Sequence, residues 1–162
     1  MPLIKAGRAV DDPFAPVADD APLPDGGAIV TLERFKKERD TLLARNAPLG
    51  VRLKSSESPE ALGADVLRLS LIVFEFPVFR DGRPFSWARM LRTRLGFTGE
   101  IRASGHFLYD QLAFLARTGF DAFDVPGAIA PAQFAHALAE IGEVYQPSAD
   151  ARKTIRALRA GR

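Results

Sequence analysis

The 162-residue sequence contains no cysteine and only two histidines, His106 and His136. The lack of cysteine excludes disulfides, a thiol nucleophile, thiolate-bound zinc and protein-ligated iron–sulfur clusters. Two histidines are too few for the usual multi-histidine metal site, so we expect no metal centre. Flavin and nicotinamide cofactors stay open, because groups other than thiolates can hold them.

Long hydrophobic runs are missing as well. No segment approaches the roughly 18 apolar residues of a membrane span. The opening residues MPLIKAGRAVDDPF lack the apolar centre of a signal peptide. We therefore expect a cytoplasmic protein without a membrane partner. The length suits one domain with a single hydrophobic core.

The net charge is only +2, but the positive charges are clustered. Five arginines fall between positions 80 and 94, and a second cluster consists of Arg152, Lys153, Arg156, Arg159 and Arg162. Such clusters attract anions or acidic partner surfaces. Each of the two clusters could equally be the solvent-exposed face of a helix. Nucleic acid is not expected, because basic and exposed aromatic residues do not alternate along a strand.

Strand and helix patterns alternate along the chain. A hairpin is predicted at residues 3–10 and an irregular connector at 11–27. Five strands are predicted at 28–32, 50–53, 71–77, 100–104 and 120–125, and helices follow them at 32–46, from Ser58, from Ser86 to Gly96, at 107–118 and from Pro131. This predicts an α/β fold.

The five strand–helix units favour a mainly parallel five-stranded sheet with flanking helices. A flavodoxin-like open sheet is preferred, and a half-barrel is the alternative, because five strands are few for a closed barrel. Residues 1–147 form the single predicted domain. The basic tail, residues 148–162, has the composition of a short helix.

In both architectures ligands bind at the carboxyl ends of the parallel strands. The candidate catalytic residues there are Glu75, Arg102 and Asp110. The candidates for binding an anion or a partner are Arg80, Asp81, Arg83, Ser86, Arg89, Arg102, Ser104, Gly105 and Gln111. Two carboxylates after the fifth strand, Asp121 and Asp124, are expected at the same rim.

Glu75 lies near the end of a strand that should be buried. An ionised carboxylate there needs a partner, or its pKa rises. Arg102 on the following strand is the obvious partner, so we expect a structural Glu75–Arg102 ion pair. The alternative is a carboxylate that grips a ligand or transfers a proton.

Two turns resemble anion-binding sites. The Ser104–Gly105 turn and the loop before Ser86 each precede a predicted helix, whose free N–H groups favour negative charge. Arg80 and Arg83 have the fork geometry that suits sulfate, phosphate or carboxylate. No GxGxxG or GxxxxGK[ST] pattern is present, and many such turns bind nothing. His106 fits a surface or capping residue better than a general base.

The stretch DGRPFSWARMLRTRLGFTGEIRASGHFLYDQLAFLARTGFDAF, residues 81–123, resembles the signature region of an uncharacterised bacterial family. The strand end EFP at 75–77, the opening residues and GVRL at 50–53 extend this resemblance over about residues 1–147. His106 departs from the family pattern, in which an acidic residue often stands there. The basic tail is expected to be an addition of this chain.

The resemblance implies a role in sulfite reduction, because that family is commonly described as an oxidoreductase of this process. The first hypothesis is an accessory protein that binds sulfite reductase, another sulfate-assimilation reductase or a small oxyanion through the arginine-rich rim. The second is a flavin- or nicotinamide-dependent oxidoreductase that uses Glu75, Arg102 and Asp110. The third is a structural or regulatory interaction protein that uses the basic tail.

Overall fold

Eight β-strands form one sheet in the computed structural model, which describes residues 3–124 and 131–161. They are β1 (Leu3–Lys5), β2 (Arg8–Val10), β3 (Phe14–Pro16), β4 (Gly27–Thr31), β5 (Leu49–Lys54), β6 (Leu71–Phe76), β7 (Glu100–Gly105) and β8 (Ala122–Asp124). The spatial order is β2-β1-β8-β7-β6-β5-β4-β3. Strands β3 to β8 are parallel, and β1 is antiparallel to both β8 and β2.

The sheet is curled into a half-barrel, and the chain connectivity shows why. Strands β2 and β3 are its two edges, yet only residues 11–13 join them. Four Cα–Cα steps span at most about 14 Å, whereas eight flat strands would be roughly 34 Å wide. The edges therefore curve toward each other.

Helices cover the outer face of this sheet. The α-helices are α1 (Leu32–Lys37), α2 (Arg39–Leu43), α3 (Arg83–Thr93), α4 (Leu112–Thr118), α5 (Pro131–Ala139) and α6 (Ile155–Ala160), and two 3₁₀ segments are Pro59–Arg68 and Tyr109–Gln111. Right-handed connections between parallel strands that stay in chain order place their helices on one side. The main core lies between these helices and the sheet.

Side chains alternate between the two faces of each strand. On β6, Ile72, Phe74 and Phe76 join the main core, which includes residues of the helices. Leu71 and Val73 point the other way and pack with Ile29 and Phe14 in a smaller cluster. We call this second side the inner face of the half-barrel.

The α/β class and the N-terminal hairpin are confirmed. The preferred five-stranded flavodoxin-like sheet is not confirmed, and the half-barrel alternative fits. Two features enlarge the sheet: β3 pairs with β4 inside the predicted irregular connector, and β1 pairs with β8. Since β3 to β8 keep chain order, the sheet has no switch point of the doubly wound kind.

Local boundaries also differ from the prediction. Helix α3 begins at Arg83 rather than Ser86, because Pro84 fits the first turn, where its missing N–H costs nothing. The helix predicted at 32–46 breaks at Glu38 into two. The segment after Ser58 has the predicted cap but is 3₁₀, and Gly63 with φ of 57° interrupts it.

The C-terminal part agrees more closely with the prediction. The short basic helix is present as α6. Strand β8 is shorter than predicted, and Val125 lies outside the described residues. Within residues 3–124 and 131–161, no helix is both long and apolar enough to cross a membrane.

Candidate functional site

Four polar side chains stand in a row on the inner face, at the carboxyl ends of the parallel strands. The register pairs Lys54 of β5 with Glu75 of β6, Glu75 with Ser104 of β7, and Ser104 with Asp124 of β8. The Ser104 hydroxyl donates to Asp124 at 3.1 Å. As expected, Glu75, Ser104 and Asp124 lie together, because the carboxyl ends of neighbouring parallel strands meet at the same edge of the sheet.

A cavity of about 310 Å³ opens beside this row, lined by Lys54, Ser55, Ser56, Glu75 and Pro77. Neither Lys54 nor Glu75 makes a side-chain ion pair within the described part of the chain. The sequence interpretation missed Lys54, although the alternation along β5 places it on the same face as the carboxylates. The cavity thus offers one cationic and one anionic group.

The predicted Glu75–Arg102 ion pair is wrong. Arg102 is level with Val73 rather than Glu75 in the register. Its guanidinium donates to both Asp12 oxygens at 2.6 and 2.9 Å and to Glu100 at 3.0 Å. Two nearer carboxylates thus occupy this arginine.

The Arg102 cluster holds the N-terminal segment against the inner face. The Arg102 side chain is only 4% exposed, and it lies over the Phe14 ring at 5.9 Å. Burial raises the pKa of Asp12, but hydrogen bonds from Arg102 and from the Phe14 N–H outweigh it and leave this pKa below 3.8. Glu100 also pairs with Lys5. We assign this cluster a structural role.

Arg83 is occupied by an internal network. Its guanidinium donates to Asp81 at 2.6 and 2.9 Å and to the Ser55 hydroxyl at 3.1 Å. The indole N–H of Trp87 donates to the Ser55 carbonyl at 3.0 Å. The hydrogen bond from Arg83, assisted by Ser55, holds the pKa of Asp81 well below its usual range. The network fixes the loop after β6 to the end of β5.

A second cavity, of about 550 Å³, lies in the outer layer between α3 and α4. It brings together four predicted site residues, Ser86, Arg89, Asp110 and Gln111. The remaining lining residues are Gly82, Phe85, Phe114 and Thr118. The Gln111 amide donates to the Phe79 carbonyl at 2.9 Å and accepts from the Leu108 N–H at 3.0 Å. Gln111 thus joins the loops that follow β6 and β7.

Exposed apolar side chains lie in this second cavity and on the two loops that Gln111 joins beside it. Phe114 is 53% exposed and Phe79 is 47% exposed, and Val78 and Leu108 are exposed as well. The Arg80 guanidinium lies over the Phe79 ring, 5.9 Å from its centroid, and Arg89 makes no ion pair with any described residue. We call Val78, Phe79, Arg80, Arg89, Leu108 and Phe114 the docking face. The sequence interpretation missed its apolar members, because most phenylalanines in this chain are core residues.

The remaining candidates lie apart from both cavities. Gly105 has a φ of 97°, and its backbone approaches Phe76. His106 is exposed and donates its main-chain N–H to the Phe76 carbonyl. Asp121 precedes β8 instead of following it, so its predicted place at the rim is wrong; it accepts from Arg92 and from the Ile101 N–H.

The described ranges, 3–124 and 131–161, contain no group of three or more His, Asp or Glu side chains arranged to hold a metal ion. The first cavity offers a cationic side chain, Lys54, and an anionic one, Glu75, for contact with a ligand, and the second offers apolar contact beside the arginines of the docking face.

Comparison with known proteins identifies a family but no characterised relative. No curated protein and no solved structure matches the chain. A family model described as a bacterial protein of unknown function (DUF934) matches residues 50–156, which are 107 of the 162 residues. The match runs from β5 into α6, so it includes both cavities and part of the basic tail. The chain therefore belongs to the DUF934 family of bacterial proteins of unknown function.

Proposed function

We propose that this protein is an accessory protein of assimilatory sulfite reduction that binds an acidic surface of a reductase through its docking face. The assignment to sulfite reduction comes from the motif resemblance in residues 75–123. The assignment of the surface comes from the geometry around α3 and α4.

The observation that carries the docking surface is the combination of exposed phenylalanines with unpaired arginines. Phe114 and Arg89 line one cavity, and Phe79 with Arg80 lies at its edge through the Gln111 hydrogen bond. Aromatic residues and arginine are enriched in protein interfaces, where they supply most of the binding energy. Exposed apolar residues gathered at one place commonly mark such interfaces.

The other predicted arginines support docking over direct capture of an oxyanion at this rim. Arg83 is bound to Asp81, and Arg102 is bound to Asp12 and Glu100. Arg92 donates to Asp121 and to the carbonyls of residues 97, 99 and 119. Among the clustered arginines, Arg80, Arg89 and Arg94 form no ion pair with a described residue, and of these Arg80 and Arg89 belong to the docking face.

The test is association of the purified protein with purified sulfite reductase, measured by calorimetry at two salt concentrations. We expect saturable binding that weakens with salt, because Arg80 and Arg89 are exposed charges. Phe114→Ala and Arg89→Ala should each weaken binding about tenfold or more, in the range of interface hot spots.

Two matched controls lie away from the docking face. Leu67→Ala removes an equally exposed apolar side chain, and Arg94→Ala removes an exposed arginine after α3. Both should bind like the wild type. Absence of association, or equal losses in control and test variants, would refute the docking proposal. A purified protein that carries bound flavin would instead favour the oxidoreductase alternative.

A further inference from the structure

Arg52 differs from every comparable arginine in the described chain. Seven arginines there are buried or partly buried: Arg34, Arg45, Arg52, Arg92, Arg102, Arg117 and Arg152. Six of them donate hydrogen bonds to carboxylates or main-chain carbonyls. Arg52 makes no side-chain hydrogen bond, ion pair or ring contact with any residue in the ranges 3–124 and 131–161.

The position of Arg52 is fixed by the sheet. It lies on the inner face of β5, level with Thr31 on β4 and Val73 on β6. Its side chain lines a cavity of about 270 Å³, whose other walls come mainly from β4 and from residues 16–18. Lys54 follows two residues later on the same face, roughly 7 Å along the strand.

No nearby carboxylate forms an ion pair with Arg52 or Lys54 in the described chain. Asp19 accepts from the Thr31 hydroxyl at 2.6 Å. Asp12 and Glu100 are bound to Arg102, and Glu75 is level with Lys54. Residues 125–130 have the sequence VPGAIA, which supplies no carboxylate. The end of β5 therefore carries two positive charges without an ion-pair partner in the described chain.

The Arg52 nitrogens are not among the fully buried unpartnered polar atoms of the described chain, so the guanidinium keeps contact with water in the cavity while its donors find no protein acceptor there. Arginine has a planar fork of donors that matches two oxygens of an anion. An anion held in the cavity would accept charge-assisted hydrogen bonds from these donors in place of water.

We propose that Arg52 anchors a binding site for a small oxyanion at the carboxyl end of β5, and that Lys54 supplements its charge. The ligand class is a compact anion with two or more equivalent oxygens: sulfate, sulfite, phosphate or a short carboxylate. This site is separate from the docking face and does not depend on the reductase.

The experiment is calorimetric titration of the wild-type protein with sodium sulfate, sulfite, phosphate and acetate in turn, with sodium chloride keeping the ionic strength constant. We expect saturable binding of at least one of them. Arg52→Gln should weaken this binding at least tenfold, and Lys54→Gln should weaken it several-fold. Arg94→Gln, an exposed arginine with no described partner, should bind like the wild type.

Thermal unfolding supplies an independent measurement. Without added anion, Arg52→Gln should unfold at or above the wild-type Tm, because no described contact is lost. A saturating anion should raise the Tm of the wild type but not that of the variant. The proposal is overturned if none of the four anions binds, if Arg52→Gln binds as tightly as the wild type, or if this variant alone loses stability in anion-free buffer.

Because no reductase is present in these titrations, failure of the oxyanion site would leave the docking proposal standing, and the reverse also holds.

Discussion

Replacing Arg102 by methionine tests whether one inner-face cluster holds the N-terminal segment on the sheet. Methionine keeps much of the side-chain volume but removes the donors that reach Asp12 and Glu100. Glu100 retains its ion pair with Lys5, whereas Asp12 retains the hydrogen bond from the Phe14 N–H and a longer-range attraction to Lys5. The substitution should therefore loosen the contact between residues 11–14 and β7.

The expected loss follows from burial. Removing one partner of a buried ion pair typically costs about 3–5 kcal/mol. The Asp12 side chain is 34% exposed, so water recovers part of this, and we expect about 2–3 kcal/mol. For a chain of this length, each kcal/mol lowers the Tm by about 2–4 °C, which gives a decrease of about 4–12 °C.

The pH dependence makes the test specific to Asp12. The folded-state pKa of Asp12 lies below its unfolded value of 3.8. The stabilisation is therefore complete above that unfolded value and is lost as the pH falls through the lower folded-state pKa. In differential scanning calorimetry, the Tm difference between wild type and Arg102→Met should be full at neutral pH and should shrink in acid.

Arg94→Met is the control, since Arg94 is exposed and its Tm should stay close to the wild-type value. A Tm of Arg102→Met within about 1 °C of the wild type at neutral pH would contradict the structural role of the cluster. A difference that is the same at every pH would show that Asp12 is not the relevant partner.

Two further substitutions test the loops around the cavities. Gly105→Ala should lower the unfolding free energy by about 2 kcal/mol or more, because φ is 97° and a Cβ would lie 2.5 Å from the Phe76 carbonyl oxygen. Urea denaturation measures this loss. The control is Gly82→Ala, whose added Cβ would meet open space and should change the unfolding free energy little. Asp81→Asn should flatten the acid side of the plot of Tm against pH. The lowered pKa of Asp81 stabilises the folded state at pH values above 3.8, and this contribution disappears as the pH falls. The same plot for wild type and variant would contradict this prediction.

The polar residues at the carboxyl ends of the strands were predicted more accurately than the number and pairing of the strands. The alternation of strand and helix patterns located β4 to β8, and the rule for parallel strands brought Glu75, Ser104 and Asp124 together. The sequence FAP of β3 was not recognised as a strand, because three residues that follow one proline and end in another have no usable periodicity. The pairing of β1 with β8 joins positions 117 to 121 apart in the sequence, and no local pattern contains this information.

The error at Glu75 has a similar origin. The sequence could show which strands are adjacent, but the register between them, which decides the residues that face each other, depends on the geometry of the intervening connections. A shift of two residues separates the expected partner, Arg102, from the observed neighbour, Ser104. Asp12 could not be identified as the partner of Arg102, since 90 positions separate them in the sequence. The unpaired state of Arg52 likewise depends on where every other acidic side chain lies.

The pairing of the first strand with the last has a consequence for how the protein is made. Leu3 is synthesised before its partner Asp124, which is added 121 positions later. Strands β3 to β7 can pair as they emerge, because each lies beside its neighbour in the chain. The β1–β2 hairpin cannot join the sheet until β8 has been synthesised. Contacts between such distant positions slow folding, because the intervening chain must first be ordered. Pairing of β1 with β8 is therefore a late step in the formation of the sheet during biosynthesis.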